Sequence, residues 1–293
     1  MGILCWFVGL IMDELSLINE DSEGPHDFRV YKWDNSEDWR DAIVEKIGSK
    51  VREVYTDYKE LQRLVEMEEE DIDFDFSQVN ECISEILENA IPSESDGGVV
   101  STPRSDFPEL IASLCLESLH DTVIPVNLIE KRETLDKPGR GVDVLGYEKI
   151  DGEDIQLVLG EVKGSSEDQS PPQVITGSDS SMDEQLKDLV LNEEKIIKNL
   201  MSIFRKAENK EDKRALAQLI ISVQESPRDT RILLCPFLVR ELEKYQESDY
   251  HPIKNNAEDY EPHTLRFLAV CVDENLTDLS VDIYEYARDG DEI

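Results

Sequence analysis

Two carboxylates and a lysine gathered at the end of paired strands are what phosphodiester hydrolysis needs, and Asp143, Glu161 and Lys163 offer such a set. The tripeptide Glu-x-Lys means little alone, since it begins at Glu161, Glu193, Glu208 and Glu211. The last three sit in polar, helix-favouring surroundings and read as solvated charges. Glu161 instead closes an apolar run, Ile155-Gln-Leu-Val-Leu-Gly-Glu161-Val-Lys163. A strand period of two puts Glu161 and Lys163 on one face and Val162 on the other. Across a tight acidic turn lies Gly141-Val-Asp143-Val-Leu-Gly-Tyr, and antiparallel pairing could bring Asp143 to Glu161. Hard oxygen ligands of this kind hold Mg²⁺, or Mn²⁺ in its place, and the Val162 carbonyl could add one more. Such a cation polarises a phosphate and activates water, while Lys163 orients the water and opposes charge developing on phosphorus. Local spacing alone also fits a surface Glu-Lys pair on an edge strand with Asp143 in a turn. The position of all three within two consecutive apolar strands favours the site.

The elements that must position them follow from periodicity. From Ser36 to about Met67 apolar residues recur at Trp39, Ile43, Ile47, Val51, Val54, Tyr58, Leu61 and Val65, which predicts a long amphipathic helix. A second helix is expected over 78–90, followed by a Ser-Asp-Gly-Gly stretch that reads as a linker. The chain divides on this reading into a mainly helical region 1–95, a linker 96–104 and a domain 105–293. In the latter, Asp106-Phe-Pro-Glu109 opens a helix to about Leu119, and strands are expected at 123–132, 141–150 and 155–163. A Ser/Asp/Gly/Pro-rich loop covers 164–183, a helix 182–206, a strand 231–238, a short helix 240–246, a strand 265–272 and a weaker closing element 281–287. The fold class is α/β, a small layered fold with a mixed central sheet flanked by helices.

Composition sets bounds. Across 293 residues, 67 acidic residues oppose 30 basic ones for a net charge of −37. That is the wrong sign for unaided nucleic-acid binding, which needs clustered Lys and Arg. The acid fits four readings: solvated surface away from a locally basic cleft, a face for a basic partner, an adaptation to high salt, or a mimic of DNA. Arg132, Lys137 and Arg140 form a basic cluster near Asp143 that suits either phosphate contacts or a solvated turn. Five scattered cysteines without Cys-x-x-Cys argue against a disulfide framework or a zinc site and suit a reducing cytoplasm. The apolar segment Met1 to Met12 is shorter than the about 20 residues that span a bilayer and lacks a signal peptide's features, so no membrane role is expected. No Gly-rich phosphate loop or nucleophile elbow is present.

The segments Gly141-Val-Asp143-Val-Leu-Gly and Leu159-Gly-Glu161-Val-Lys163, with the order of elements around them, resemble the PD-(D/E)XK nucleases and their restriction-endonuclease-like core. The resemblance implies that Asp143 and Glu161 bind Mg²⁺ and that Lys163 assists the attacking water. It also implies a further acid from the preceding helix, at the position of Glu109. Asp106 and Glu109 equally have the spacing of a capping box, in which Glu109 would only satisfy a backbone amide. More narrowly, residues 105–290 are similar to the HamA family, the nuclease subunits of the Hachiman anti-phage system. That similarity implies DNA cleavage as an effector and a helicase partner, HamB, which would bring an acidic chain to DNA. A stand-alone restriction-like or repair nuclease and a non-catalytic acidic protein binding a basic partner stay as rivals. The acidic loop 164–183 departs from what a DNA-facing loop should carry.

Two smaller expectations concern surfaces. The stripe of Trp39, Tyr55 and Tyr58 suits a partner-docking face or simple core. His120 closes the first core helix, where a protonated imidazole would suit the helix dipole.

Overall fold

The structure is a computed structural model that describes residues 15–33, 39–56, 76–93, 101–129, 142–150, 154–177, 180–227 and 229–289. In chain order these form β1 (Leu15–Glu23), β2 (His26–Trp33), α1 (Trp39–Tyr55), α2 (Phe76–Ala90), α3 (Ser101–His120), β3 (Val144–Lys149) and β4 (Ile155–Ser165). There follow α4 (Met182–Leu191), α5 (Glu193–Lys206), α6 (Lys210–Glu225), β5 (Ile232–Glu241), α7 (His251–Asn255), β6 (Thr264–Val272) and α8 (Leu276–Arg288).

All six strands make one sheet in the order β1-β2-β6-β5-β4-β3. The inner four are parallel, and β1 and β3 close the edges antiparallel to their neighbours. Strands covered on both faces read as near-continuous apolar runs, as β5 does with every residue buried. One face packs Val144, Val158, Val162, Phe237 and Leu268 against α1, α2, α3 and α8. The other packs Leu145, Leu157, Leu159, Leu234 and Phe267 against α4, α5, α6 and α7. The expected α/β layering with a mixed sheet is therefore present.

Several local expectations change. Over the described part of the strand predicted at 123–132, residues 123–129, there is a single bridge, between Val123 and Tyr147. Pro125, two residues on, has no N–H for a ladder. The helix predicted over 182–206 is two helices, broken at Asn192, whose side chain accepts from the Lys195 amide and starts α5. Residues 210–225, given no element on sequence grounds, form α6, and the closing element at 281–287 is the core of the longer helix α8. The short helix expected at 240–246 is one 3₁₀ turn, Leu242–Lys244. α3 starts at Ser101, so Asp106 lies inside it and the capping box with Glu109 is overturned. Asp106 is instead fully buried and accepts a hydrogen bond from the Tyr55 hydroxyl. His120 is not a cation, because burial first and the Arg266 charge second push its pKa down to about 4. Trp39 and Tyr55 pack against the core rather than standing free for a partner. Met1 to Met12, Tyr58, Leu61 and Val65, most of the 96–104 linker, and Arg132, Lys137 and Arg140 lie outside the described residues.

The N-terminal region also holds a hairpin that periodicity does not mark. β1 and β2 meet at Gly24, which has a φ of 58° that glycine adopts without strain. β2 then pairs with β6, so the first described strands belong to the same sheet as the last one.

The loop after β4 is fastened from beneath. Arg240 at the end of β5 is fully buried beside an equally buried Asp249, with Nε to Oδ2 at 3.0 Å. Its other donors reach the Ser165 hydroxyl at 2.9 Å and the carbonyls of Gln169 and Lys244 at 2.8 and 3.1 Å. Removing one partner of a buried pair strands the other charge without water. Arg240→Ala is expected to cost about 3–5 kcal/mol, read by urea denaturation, with the loop at 165–170 the first segment to lose protection from hydrogen exchange. A loss under about 1 kcal/mol would show that the pair does not hold this loop.

Candidate active site

β3 and β4 pair with Val144 opposite Gly160, which sets Asp143 opposite Glu161 one step beyond the end of the ladder. The Asp143 amide still donates to the Gly160 carbonyl at 3.0 Å. Because β3 begins only at Val144, the Val162 N–H has no strand residue to pair with. The Asp143 carboxylate takes it at 2.8 Å, so a side chain completes the ladder where the neighbouring strand stops. In a strand, N–H and C=O of one residue leave on the same side, so the Val162 carbonyl also faces the gap beside Asp143.

Glycine permits this close approach. A Cβ at Gly160 would lie 2.9 Å from the Val144 Cβ, and one at Gly164 2.8 Å from the Pro108 ring. Pairing between β5 and β6 skips Cys235 and Pro236, and Pro236 sits opposite Glu161 on β4. A proline has no N–H to give there.

Glu161 is 3% exposed, and its carboxylate receives the Lys163 ammonium at 2.7 Å. Burial and then the Asp143 charge push its pKa up to about 8, against the lowering pull of Lys163. The two carboxyl groups also share a hydrogen bond. A pair that needs either a proton or a cation between its oxygens is a donor set of the right chemistry for a hard divalent ion. The residues present therefore fit Mg²⁺ or Mn²⁺ through Asp143, Glu161 and the Val162 carbonyl.

Sequence reasoning missed Gln185. It lies in the first turns of α4, and its Oε1 accepts from Lys163 Nζ at 2.8 Å. The ammonium is thereby held between Glu161 and Gln185, on the sheet face that α4 covers. A polar residue about twenty positions downstream of the motif carries no spacing signal, and only the packing of α4 on β4 finds it.

Glu109 is placed differently. Its helix α3 covers the opposite face of the sheet, with Pro108 over Gly164, and Glu109 is half-buried there. The charges that set Glu161 are those of Asp143 and Lys163, whereas Glu109 is felt at Tyr284. Among the described residues, no group of three or more His, Cys, Asp or Glu side chains is arranged to hold a metal. The structure thus brings together Asp143, Glu161 and Lys163, while Glu109 stands on α3, which packs on the opposite face of the sheet.

The loop that looked too acidic uses part of its own charge. Glu167 accepts the Gln173 amide at 2.7 Å, and buried Asp183 accepts from the Tyr260 hydroxyl and from Lys187. Four of the cysteines, Cys82, Cys115, Cys235 and Cys271, are free thiols. No described helix is long and apolar enough to cross a membrane.

Comparison with protein families matches residues 10–286 to HamA. No curated protein and no solved structure matches the chain. With the match running from before β1 almost to the end of α8, the chain belongs to the HamA family, a component of Hachiman defence.

Proposed function

We propose that this chain is a metal-dependent DNA endonuclease, the effector subunit of an anti-phage complex, acting with a HamB-like helicase. The observation that carries the reading is the Asp143 carboxylate on the Val162 amide, directly beside the buried Glu161–Lys163 pair. A divalent cation bound by Asp143, Glu161 and the Val162 carbonyl would supply Lewis-acid polarisation of the phosphate and a water of lowered pKa. Lys163, held by Gln185, would orient the attacking water and oppose negative charge building on phosphorus. Family membership supports the defence role, and with it a partner that delivers DNA to a chain of charge −37.

The test is nicking of supercoiled and linear DNA by the full chain, alone and with its co-purifying helicase, in Mg²⁺, Mn²⁺ or EDTA. Cutting is expected with either metal, none with EDTA, and more with the helicase than without it. Absence of cutting under every condition, with both proteins folded, would replace the nuclease by an acidic protein that binds a basic partner.

A further inference from the structure

Residues 195–214 reverse the balance of the whole chain, with seven Lys or Arg against three Asp or Glu. Five of these cations lie at one corner, while Lys195 and Lys198 nearer the start of α5 pair with Asp188 and Glu194. Arg205 and Lys206 end α5, a three-residue link follows, and Lys210 opens α6 with Lys213 and Arg214 one turn further on. Positions i, i+3 and i+4 share a helix face, so the last three point the same way. Arg205, Lys206, Lys210 and Arg214 are exposed, and Lys213 is half-buried. Cations at the end of α5 suit its dipole, but Lys210 at the start of α6 works against that of its own helix. Helix stability therefore does not account for the cluster.

The corner is tied to the strand that carries Asp143. Lys149 at the end of β3 pairs with Glu211 at 2.6 Å, and the Tyr147 hydroxyl donates to Asp212 at 2.8 Å. β3 is the last strand of the sheet, its middle covered by the bridge from Val123, with Asp143 just before its start and the basic corner at its end. Six strand residues span ~20 Å, which matches about six phosphates of one DNA strand at 3.4 Å each. On a chain of net charge −37, a DNA strand passing over this side of the molecule meets the site at one end and the basic corner at the other.

We infer that the α5–α6 corner is a DNA-backbone clamp that holds the strand about six phosphates from the cleavage centre. The inference deepens the nuclease reading and rests on it for the path of the strand. An acidic protein would also be drawn to the corner, but the spacing to Asp143 along one sheet edge favours a phosphate backbone.

The test charge-reverses three exposed positions in the full chain, Arg205→Glu, Lys206→Glu and Lys210→Glu together. Fluorescence anisotropy then reads binding to a duplex of about 20 base pairs over a salt series. Each lost phosphate contact lowers the slope of log affinity against log salt by about 0.9, so a fall of about 2–3 is expected, with affinity at least ~10-fold weaker at low salt. Cleavage of the duplex should weaken in step, while cutting of oligonucleotides of about four residues, too short to reach the corner, stays as in wild type. Should the triple variant unfold at lower urea than wild type, the Arg205→Gln, Lys206→Gln, Lys210→Gln set replaces it, with the same fall in slope and a smaller loss of affinity expected. Unchanged affinity and slope, no binding by wild type, or poly-glutamate binding as tightly as DNA would each overturn the clamp. If the variant loses binding but neither protein cuts DNA, the clamp stands and the nuclease reading falls. If both cut and bind alike, the nuclease stands and the clamp falls.

Discussion

Lys163→Ala is expected to lower metal-dependent DNA cleavage by about 10²–10³ while tightening the binding of Mn²⁺. The two effects have opposite signs for one electrostatic reason. The Lys163 ammonium sits 2.7 Å from Glu161, on the carboxylate that the metal must also use. Removing it takes a positive charge out of the site and frees one Glu161 oxygen, so above about pH 8, where the carboxyl pair is ionised, a divalent ion meets less repulsion. The same removal takes away the cation that opposes charge on phosphorus, and nothing else described at the site replaces it. Glu161→Ala should lose both rate and metal affinity, because it deletes a ligand rather than a competitor. Calorimetric Mn²⁺ titration beside single-turnover nicking separates the cases. Wild-type cleavage by Lys163→Ala, or unaltered Mn²⁺ affinity in Glu161→Ala, would remove these residues from the site. The contrast also discriminates against a surface ion pair, whose loss moves neither quantity.

Much of this site was legible in the sequence because strand geometry is rigid. A period of two fixes Glu161 and Lys163 on one face, and a short turn between two apolar runs fixes Asp143 opposite Glu161. What could not be read was everything brought in by packing. Gln185 reaches Lys163 only because α4 lies on β4, and no local rule links residues 163 and 185. Glu109 follows the family's order of elements, and its helix α3 packs on the sheet face opposite Glu161 and Lys163, a placement that sequence order alone does not give. The β1–β2 hairpin was hidden by exposure: β1 is an edge strand, mostly solvent-facing, with an irregularity between Leu17 and Asn19 that breaks any alternation. Pro125 and Asn192 were visible as letters, but apolar periodicity outweighed the missing N–H of one and the capping side chain of the other.

The charge of the chain takes on a different meaning once the elements are placed. Of the acids near the site, Asp143 and Glu161 face each other, and Asp183 is held by Tyr260 and Lys187. Net charge is a sum over surfaces, while a strand of DNA meets one edge. A locally basic corner on an acidic protein is therefore compatible with cleavage, and the repulsion elsewhere gives a reason for a helicase to deliver the substrate.

The same carboxyl pair should make the metal-free fold lose stability as pH rises toward 8. Burial and Asp143 hold the Glu161 carboxyl at about 8 in the folded chain, against an unfolded value of about 4.3. A carboxyl raised by folding binds its proton more tightly in the native state, so its contribution is fully present below about pH 4.3 and is lost as pH climbs through 8. The loss is a few kcal/mol at most, since Asp143 shares the titration. Histidines act in the other direction at lower pH. Burial lowers His26, His120 and His263, so their neutral forms add stability that is lost as pH falls below about 6.5. The window from about pH 6.5 to 8.5 therefore isolates Glu161. In urea titrations with EDTA, wild type should weaken across it, whereas Glu161→Gln should stay level and be the more stable protein at the alkaline end. Saturating Mg²⁺ should flatten the wild-type curve, because the cation takes the place of the shared proton, and should leave Glu161→Gln little changed. A wild-type curve that is already flat in EDTA would mean that Asp143 and Glu161 do not face each other closely enough to hold a metal.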